Sequence, residues 1–305
     1  MDGRISNTEQ IAYLRRYTMT EGKAEGLKII EGNTGAIRFL LNESKALDIA
    51  QLWYQGVNIS FLSKNGLSKS ERPFLNRFEG GMLYTCGLDS VGGRDGFELH
   101  GTLHNIPAKI TVCRCNGQEI EIEGELSDCA LFGKNLFLKR RITAIVGGES
   151  LKIEDVLINK GTAEENYCLL YHVNLGYPFL DEGVTIKSDV QSVIPRTGLA
   201  KERIGERTVF LNSVANEEER CYFIKNKTPH IEAVNHKLGI KFALDYSDDT
   251  LPYLVQWNSN ASGDYALGLE PCTTFLDDQF TYSKLRVGER KSFSLTLSFK
   301  MMNLV

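Results

Sequence analysis

The chain has 305 residues, 42% of them hydrophobic and 24% charged, with a net charge of -4. That is apolar material for a sizeable core, and it excludes a disordered chain. No run of Lys or Arg is long enough to neutralise a track of phosphates, which excludes nucleic acid as the expected partner.

The opening MDGRISNTEQIAYLRRY has no apolar centre of a signal peptide, and no later stretch approaches the ~20 apolar residues that cross a bilayer. A cytoplasmic protein without membrane contact is expected. Ser6, followed three residues later by Glu9, reads as a capping box before Ile11, Ala12 and Leu14, so a short N-terminal helix should end near Tyr17. Beyond it, short period-two segments are separated by Gly, Asn, Asp or Pro, which is strand punctuation. In order they are AIRFLL (36–41), PAKITVCRC (107–115), EIEIEGEL (119–126), LFLKRRITAIV (136–146) and KIEDVLINKG (152–161). Asn116-Gly117 and VGGES (146–150) mark hairpins. In the last strand Phe293, Leu295, Leu297, Phe299 and Met301 alternate with polar residues, the pattern of antiparallel sheet with one face in a core. With no repeat and no linker, one all-β antiparallel sandwich domain over 1–305 is the expected architecture. Seven cysteines, an odd number, read as reduced and mostly buried thiols.

Three stretches place ionisable groups where strands are expected to end: FELHGTLHN (97–105), YHVNLGYP (171–178) and GLEPCTT (268–274). His100 and His104 could join Cys113 and Cys115 on zinc, but a compact zinc site more typically shows a Cys-x2-Cys knuckle, so no metal is expected. Glu270 either finds a partner or works in a cleft, and His172 is a structural strand residue unless it meets such a carboxylate. If the two converge they form a general acid and base pair. Cys86 and Cys272 lack a histidine beside them in sequence and read as buried. The glycines of DSVGGRDGF (89–97) read as a turn.

In order, LNRFEGG (75–81), ELHG (98–101), YHVNLG (171–176) and GLEP (268–271) resemble the motifs of the aldose 1-epimerase (galactose mutarotase) superfamily, in a largely uncharacterised branch. The resemblance spans the chain. It implies a large antiparallel β-sandwich with an open sugar cleft, in which Glu270 is the general base, His172 the general acid, and His100 and Arg77 grip sugar hydroxyls. His104 and Asn174, inside the same segments, are counted among the expected sugar contacts. No cofactor is implied. The superfamily's sugar-binding aspartate falls on Asp245, Asp248 or Asp249 without preference, or on Asp89. Trp257 and Tyr177 are candidates to stack on a sugar ring or to pack in the core. Thr102 stands where the superfamily has a second glycine, and no Pro-Tyr-Phe bridge separates His172 from Asn174, which leaves the sugar open.

The expected activity is anomer interconversion on a monosaccharide or sugar derivative. A carbohydrate-binding module without turnover and an isomerase of the open-chain sugar are the alternatives. A phosphorylated or acidic sugar would call on Arg72, Arg77 or Arg94. A homodimer is left open.

Overall fold

The computed structural model describes residues 3–302. Strands β1 (Tyr13–Thr18), β2 (Lys28–Asn33), β3 (Ile37–Asn42), β4 (Asp48–Tyr54) and β5 (Val57–Asn58) form an antiparallel sheet in sequential order. The larger sheet contains β6 (Leu83–Leu88), β7 (Lys109–Cys115), β8 (Glu119–Cys129), β9 (Asn135–Ile145), β10 (Ser150–Asn159), β11 (Glu165–Gly176), β12 (Thr185–Pro195), β13 (Arg220–Asn235), β14 (Ile240–Tyr246), β15 (Tyr253–Ser259), β16 (Ala266–Cys272), β17 (Ser283–Leu285) and β18 (Arg290–Met301). Its order is β17-β11-β16-β15-β13-β14-β18-β10-β9-β8-β7, with β6 added to β11 and β12 to β13. The one α-helix among the described residues is short, Gly198–Glu202.

The expected all-β antiparallel fold is present, with local differences. The N-terminal helix is one 3-10 turn, Thr8–Gln10, capped by Asn7 and not by Ser6, and Tyr13–Thr18 is strand paired to β2. Backbone pairing with β2 outweighs the weak local helix signal. The β7–β8 turn centres one residue later than expected: Asn116 pairs with Glu119, and Gly117 takes the positive φ of 82°. In β18 the side chains of Phe293, Leu295, Leu297 and Phe299 are buried, whereas Met301 at the strand end is 47% exposed.

Strands β11 and β16 are buried on both faces, so each side of their alternation lands in a different environment. Leu169, Tyr171, Val173, Leu175, Leu267 and Leu269 join the main core between the sheets. Cys168, Leu170 and Cys272 point the other way, into a smaller cluster with Cys86, Cys221, Phe223 and Val255. His172 and Glu270 share that second face by their even spacing from these residues. Neither lies at a strand end, because β11 continues to Gly176 and β16 to Cys272.

A buried ionic network pins the sheets together. Arg140, at a core-facing position of β9, binds Asp155 of β10 through Nε (2.9 Å) and Nη2 (2.7 Å), and Asp48 of β4 through Nη1 (2.5 Å). Tyr171 hydroxyl donates to Asp155 (2.7 Å), the Thr85 backbone N–H donates to Asp48 (2.7 Å), and His104 Nδ1 lies 2.6 Å from Asp48. Both carboxylates and the guanidinium are almost fully withdrawn from water. Arg140→Met would leave two buried carboxylates without their cation, at a cost of about 3–5 kcal/mol. Urea unfolding measures this, and a loss below about 1 kcal/mol would contradict the pinning role.

Candidate active site

The antiparallel register Val173↔Leu269 and Leu170↔Cys272 sets His172 directly opposite Glu270. Their side chains meet at 3.2 Å, His172 Nε2 to Glu270 Oε1. The imidazole is 6% exposed and the carboxyl residue 2%, at the bottom of a cleft of about 770 Å³. Gly268 makes room for the pair, since a Cβ there would stand 2.4 Å from Glu270 Oε1 and 3.2 Å from His172 Cε1.

The floor beneath them is apolar: Cys86, Cys168, Leu170, Cys221, Val255 and Cys272 pack together. Burial there, reinforced by Glu219 and opposed by Arg196, pushes the Glu270 carboxyl well above its usual range. Burial, together with neighbouring His100, lowers His172 to about 3. In the free protein the pair therefore holds its proton on Glu270, beside a neutral imidazole. The thiols of Cys86 and Cys272 are themselves raised by burial, which removes both as thiolate nucleophiles.

His100 enters from the loop after β6, in a left-handed conformation with φ 64°. The Gly92 backbone N–H donates to its Nδ1 (3.2 Å), which assigns the ring proton to Nε2. Burial lowers its pKa to about 4, so His100 offers a neutral N–H donor. Its ring centroid is 5.7 Å from that of His172. The glycine of ELHG is required because a Cβ on Gly101 would meet Gly87 O at 2.4 Å. Trp257 lines the cleft with its ring 5.6 Å from His172, held by Nε1 donating to Glu219 (2.7 Å). Phe61 and Phe78 complete an aromatic wall.

The other expected contacts lie elsewhere. Arg77 is 7% exposed and off the cleft lining, held by Asn105 (2.5 Å) and Glu98 (3.1 Å). The 3-10 turn before it, Phe74–Asn76, presents Phe74, Leu75 and Asn76 instead. His104 belongs to the Asp48 network and stacks on Tyr84 at 3.7 Å, so His100 and His104 face different environments. Asn174 is fully buried two residues after His172, where its Nδ2 donates to His172 O (2.9 Å) and Gly81 O (3.1 Å). Asp89 receives Thr102 (3.3 Å) and packs against Gly101, away from the cleft lining. Asp245 binds His230 (2.6 Å) at the surface, Asp248 and Asp249 are exposed in the turn after β14, and Tyr177 is 70% exposed. Arg94 lies over the Phe280 ring at 3.9 Å.

Sequence reasoning missed several cleft residues, Arg196, Glu219 and Asp264 among them. Arg196 follows β12 and is bound by Asp277 (2.5 Å) and Glu219 (3.5 Å); Glu219 precedes β13; Asp264 pairs with Lys64 (2.8 Å) at the rim. Arg196 and Glu219 are brought together by β12–β13 pairing, for which no local motif exists.

Glu270→Gln tests the electrostatics without reference to activity. A carboxyl whose folded pKa is raised contributes stability that is fully present below its ordinary value of 4.5 and is lost as pH rises through the folded value. The variant should therefore melt at least about 2 °C above wild type at pH 8, by calorimetry, and the gap should close toward pH 4.5. A variant that melts lower at pH 8 would contradict the burial of this carboxyl.

Comparison with solved structures gives the same architecture. A candidate aldose 1-epimerase from Klebsiella pneumoniae superposes with a TM-score of 0.85 at 21% identity, over 95% of this chain and 84% of that one. A galactose mutarotase-like protein from Clostridium acetobutylicum gives 0.73 at 14% identity, over 96% and 100%. A galactose mutarotase related enzyme from Lactobacillus acidophilus gives 0.62 at 11% identity, over 95% and 99%. At these identities the likeness carries the fold, which is galactose mutarotase-like. No curated protein matches the chain. The model of the family described as a domain of unknown function, DUF4432, matches residues 24–299, and the chain belongs to that family.

Proposed function

We propose that the protein is a cofactor-independent aldose 1-epimerase, or a closely related sugar epimerase, with the two sheets acting as one domain. The observation that carries this reading is the direct contact of His172 and Glu270 at the bottom of an aromatic-walled cleft. A cyclic aldose carries its anomeric hydroxyl and its ring oxygen on the same carbon, so acid and base must act on neighbouring atoms. A pair 3.2 Å apart meets that demand.

In this reading Glu270 takes the proton from the anomeric hydroxyl while His172 delivers one to the ring oxygen. The bond between C1 and the ring oxygen breaks and the C1 carbonyl forms; rotation about C1–C2 and reclosure give the other anomer. The free pair keeps its proton on Glu270, so sugar hydroxyls donating to the carboxylate must draw that proton across to His172 before ring opening. His100 Nε2–H holds a sugar hydroxyl, and Trp257 and Phe61 offer apolar faces to the ring.

The test is exchange NMR on a panel of free aldoses with purified protein. Wild type should accelerate anomer exchange of at least one sugar, and His172→Asn and Glu270→Gln should each lower kcat/KM by about 10²–10⁴-fold. Binding without acceleration, or variants equal to wild type, would refute the epimerase reading. The pH profile adds a second check. Catalysis needs one proton on the pair, so kcat/KM should fall on the alkaline side as that proton leaves the raised Glu270 carboxyl, and on the acid side only as His172 takes a second proton near pH 3. An acid limb centred near pH 6.5, with activity rising as pH climbs through it, would place an ordinary, solvent-exposed histidine in the mechanism.

A further inference from the structure

Trp257 stands half-buried in the cleft wall beside His172 and Glu270, yet its own sheet gives the indole little lateral support. Across the ladders its partners are Gly268 of β16 and Cys221 of β13. Cross-strand neighbours are what ordinarily hold an aromatic side chain on a sheet face. Gly268 brings no side chain, and there is no room for one, because a Cβ would stand 2.4 Å from Glu270 Oε1 and 3.2 Å from Trp257 Cβ. The glycine that makes room for the pair thus removes the group that would have packed against the indole. The aromatic contacts of the ring are edge-on, to Phe61 with centroids 6.3 Å apart at 72° and to His172 at 5.6 Å and 76°.

The indole is anchored instead at its nitrogen. Nε1 donates to Glu219 Oε2 at 2.7 Å, a hydrogen bond to a charged acceptor. Glu219 Oε1 lies 3.5 Å from Arg196 Nη1, and Arg196 is locked on Asp277 through Nε (2.5 Å) and Nη2 (3.1 Å). Each link comes from a different part of the chain: Trp257 from β15, Glu219 from just before β13, Arg196 from just after β12, and Asp277 from the 3-10 turn Asp277–Gln279. With the N–H spent on Glu219, Trp257 has its ring left for a ligand.

We propose, resting on the reading of the cleft as an epimerase site, that Glu219 is a positioning residue: it fixes the angle of the Trp257 ring beside the His172–Glu270 pair, and so the orientation in which an aldose ring stacks there. Glu219 touches no reacting atom in this role and acts through the indole.

Trp53, the other tryptophan, lies on β4 under Arg38, so Trp53→Phe leaves Trp257 as the sole indole emitter of the full chain. In that parent, time-resolved fluorescence anisotropy without sugar reads the ring directly. Glu219→Leu and Glu219→Gln both remove the charge that helps keep Glu270 protonated, so the difference between them reads the acceptor alone. Gln keeps one acceptor for the closer donor, the indole. The Glu219 side chain is 44% exposed and Arg196 keeps Asp277, so neither variant strands a buried charge. The expected result is a fast depolarising component in Glu219→Leu that is absent from the parent and largely suppressed in Glu219→Gln. A ring equally rigid in all three would overturn the proposal. Exchange NMR follows with D-glucose, D-galactose, D-mannose and D-xylose, using the one that the parent exchanges fastest. Glu219→Leu should show a KM about 3–10-fold above that of Glu219→Gln at a similar kcat. Equal KM values would also overturn it. A parent that exchanges none of the four sugars, with a ring freed by Glu219→Leu, would refute the epimerase reading and leave the anchoring of Trp257 supported.

Discussion

The Asp48–Arg140–Asp155 bridge is the constraint on which the rest of the structure depends. It joins β4 of the small sheet to β9 and β10 of the large one inside an otherwise aliphatic core. Through Tyr171 it holds β11, and through Thr85 and His104 it holds β6 and the loop that carries His100. Tyr84 and Thr85 face His172 and Tyr171 across the β6–β11 ladder. The charged network thus sits one residue out of phase with the catalytic candidates, on the opposite face of the same strands. A buried ion pair adds little net stability over apolar packing, but its geometry fixes strand register in a way that leucines do not. Register is what brings His172 and Glu270 together.

On the cleft face the electrostatics are of the opposite kind. The Asp48 network matches each charge with a partner, whereas His172 and Glu270 stand over a floor of thiols and aliphatic groups that penalises the charged form of both. The outcome is a neutral pair with its proton on Glu270, and in the proposed reaction that proton passes between two oxygens of one substrate carbon. Stability is given up at this point and recovered elsewhere in the core, the usual arrangement at a reactive site.

Strands with one wet face were legible in the sequence, as β9 and β18 show, because period-two alternation records burial directly. The paired face of β11 was not, since both of its sides are dry and YCLLYHVNLG reads as an apolar run broken by a histidine. Motif order identified His100, His172 and Glu270 as a set, and the structure places all three on one cleft. It did not separate them from Arg77, His104 and Asn174, which are buried off the cleft lining although they lie in the same sequence segments. Side-chain direction in loops and 3-10 turns depends on φ values such as the 64° of His100, which no residue spacing encodes. Arg196 and Glu219 meet only through β12–β13 pairing, so their place was invisible without the fold.

The most direct test of the central claim is a crystal structure with a bound aldose in the cleft. The anomeric carbon should lie over the His172–Glu270 contact, with the anomeric hydroxyl on the Glu270 carboxyl, the ring oxygen on His172 Nε2 and the ring against Trp257. A sugar bound with its anomeric carbon turned toward the Lys64–Asp264 rim, out of reach of both groups, would contradict it.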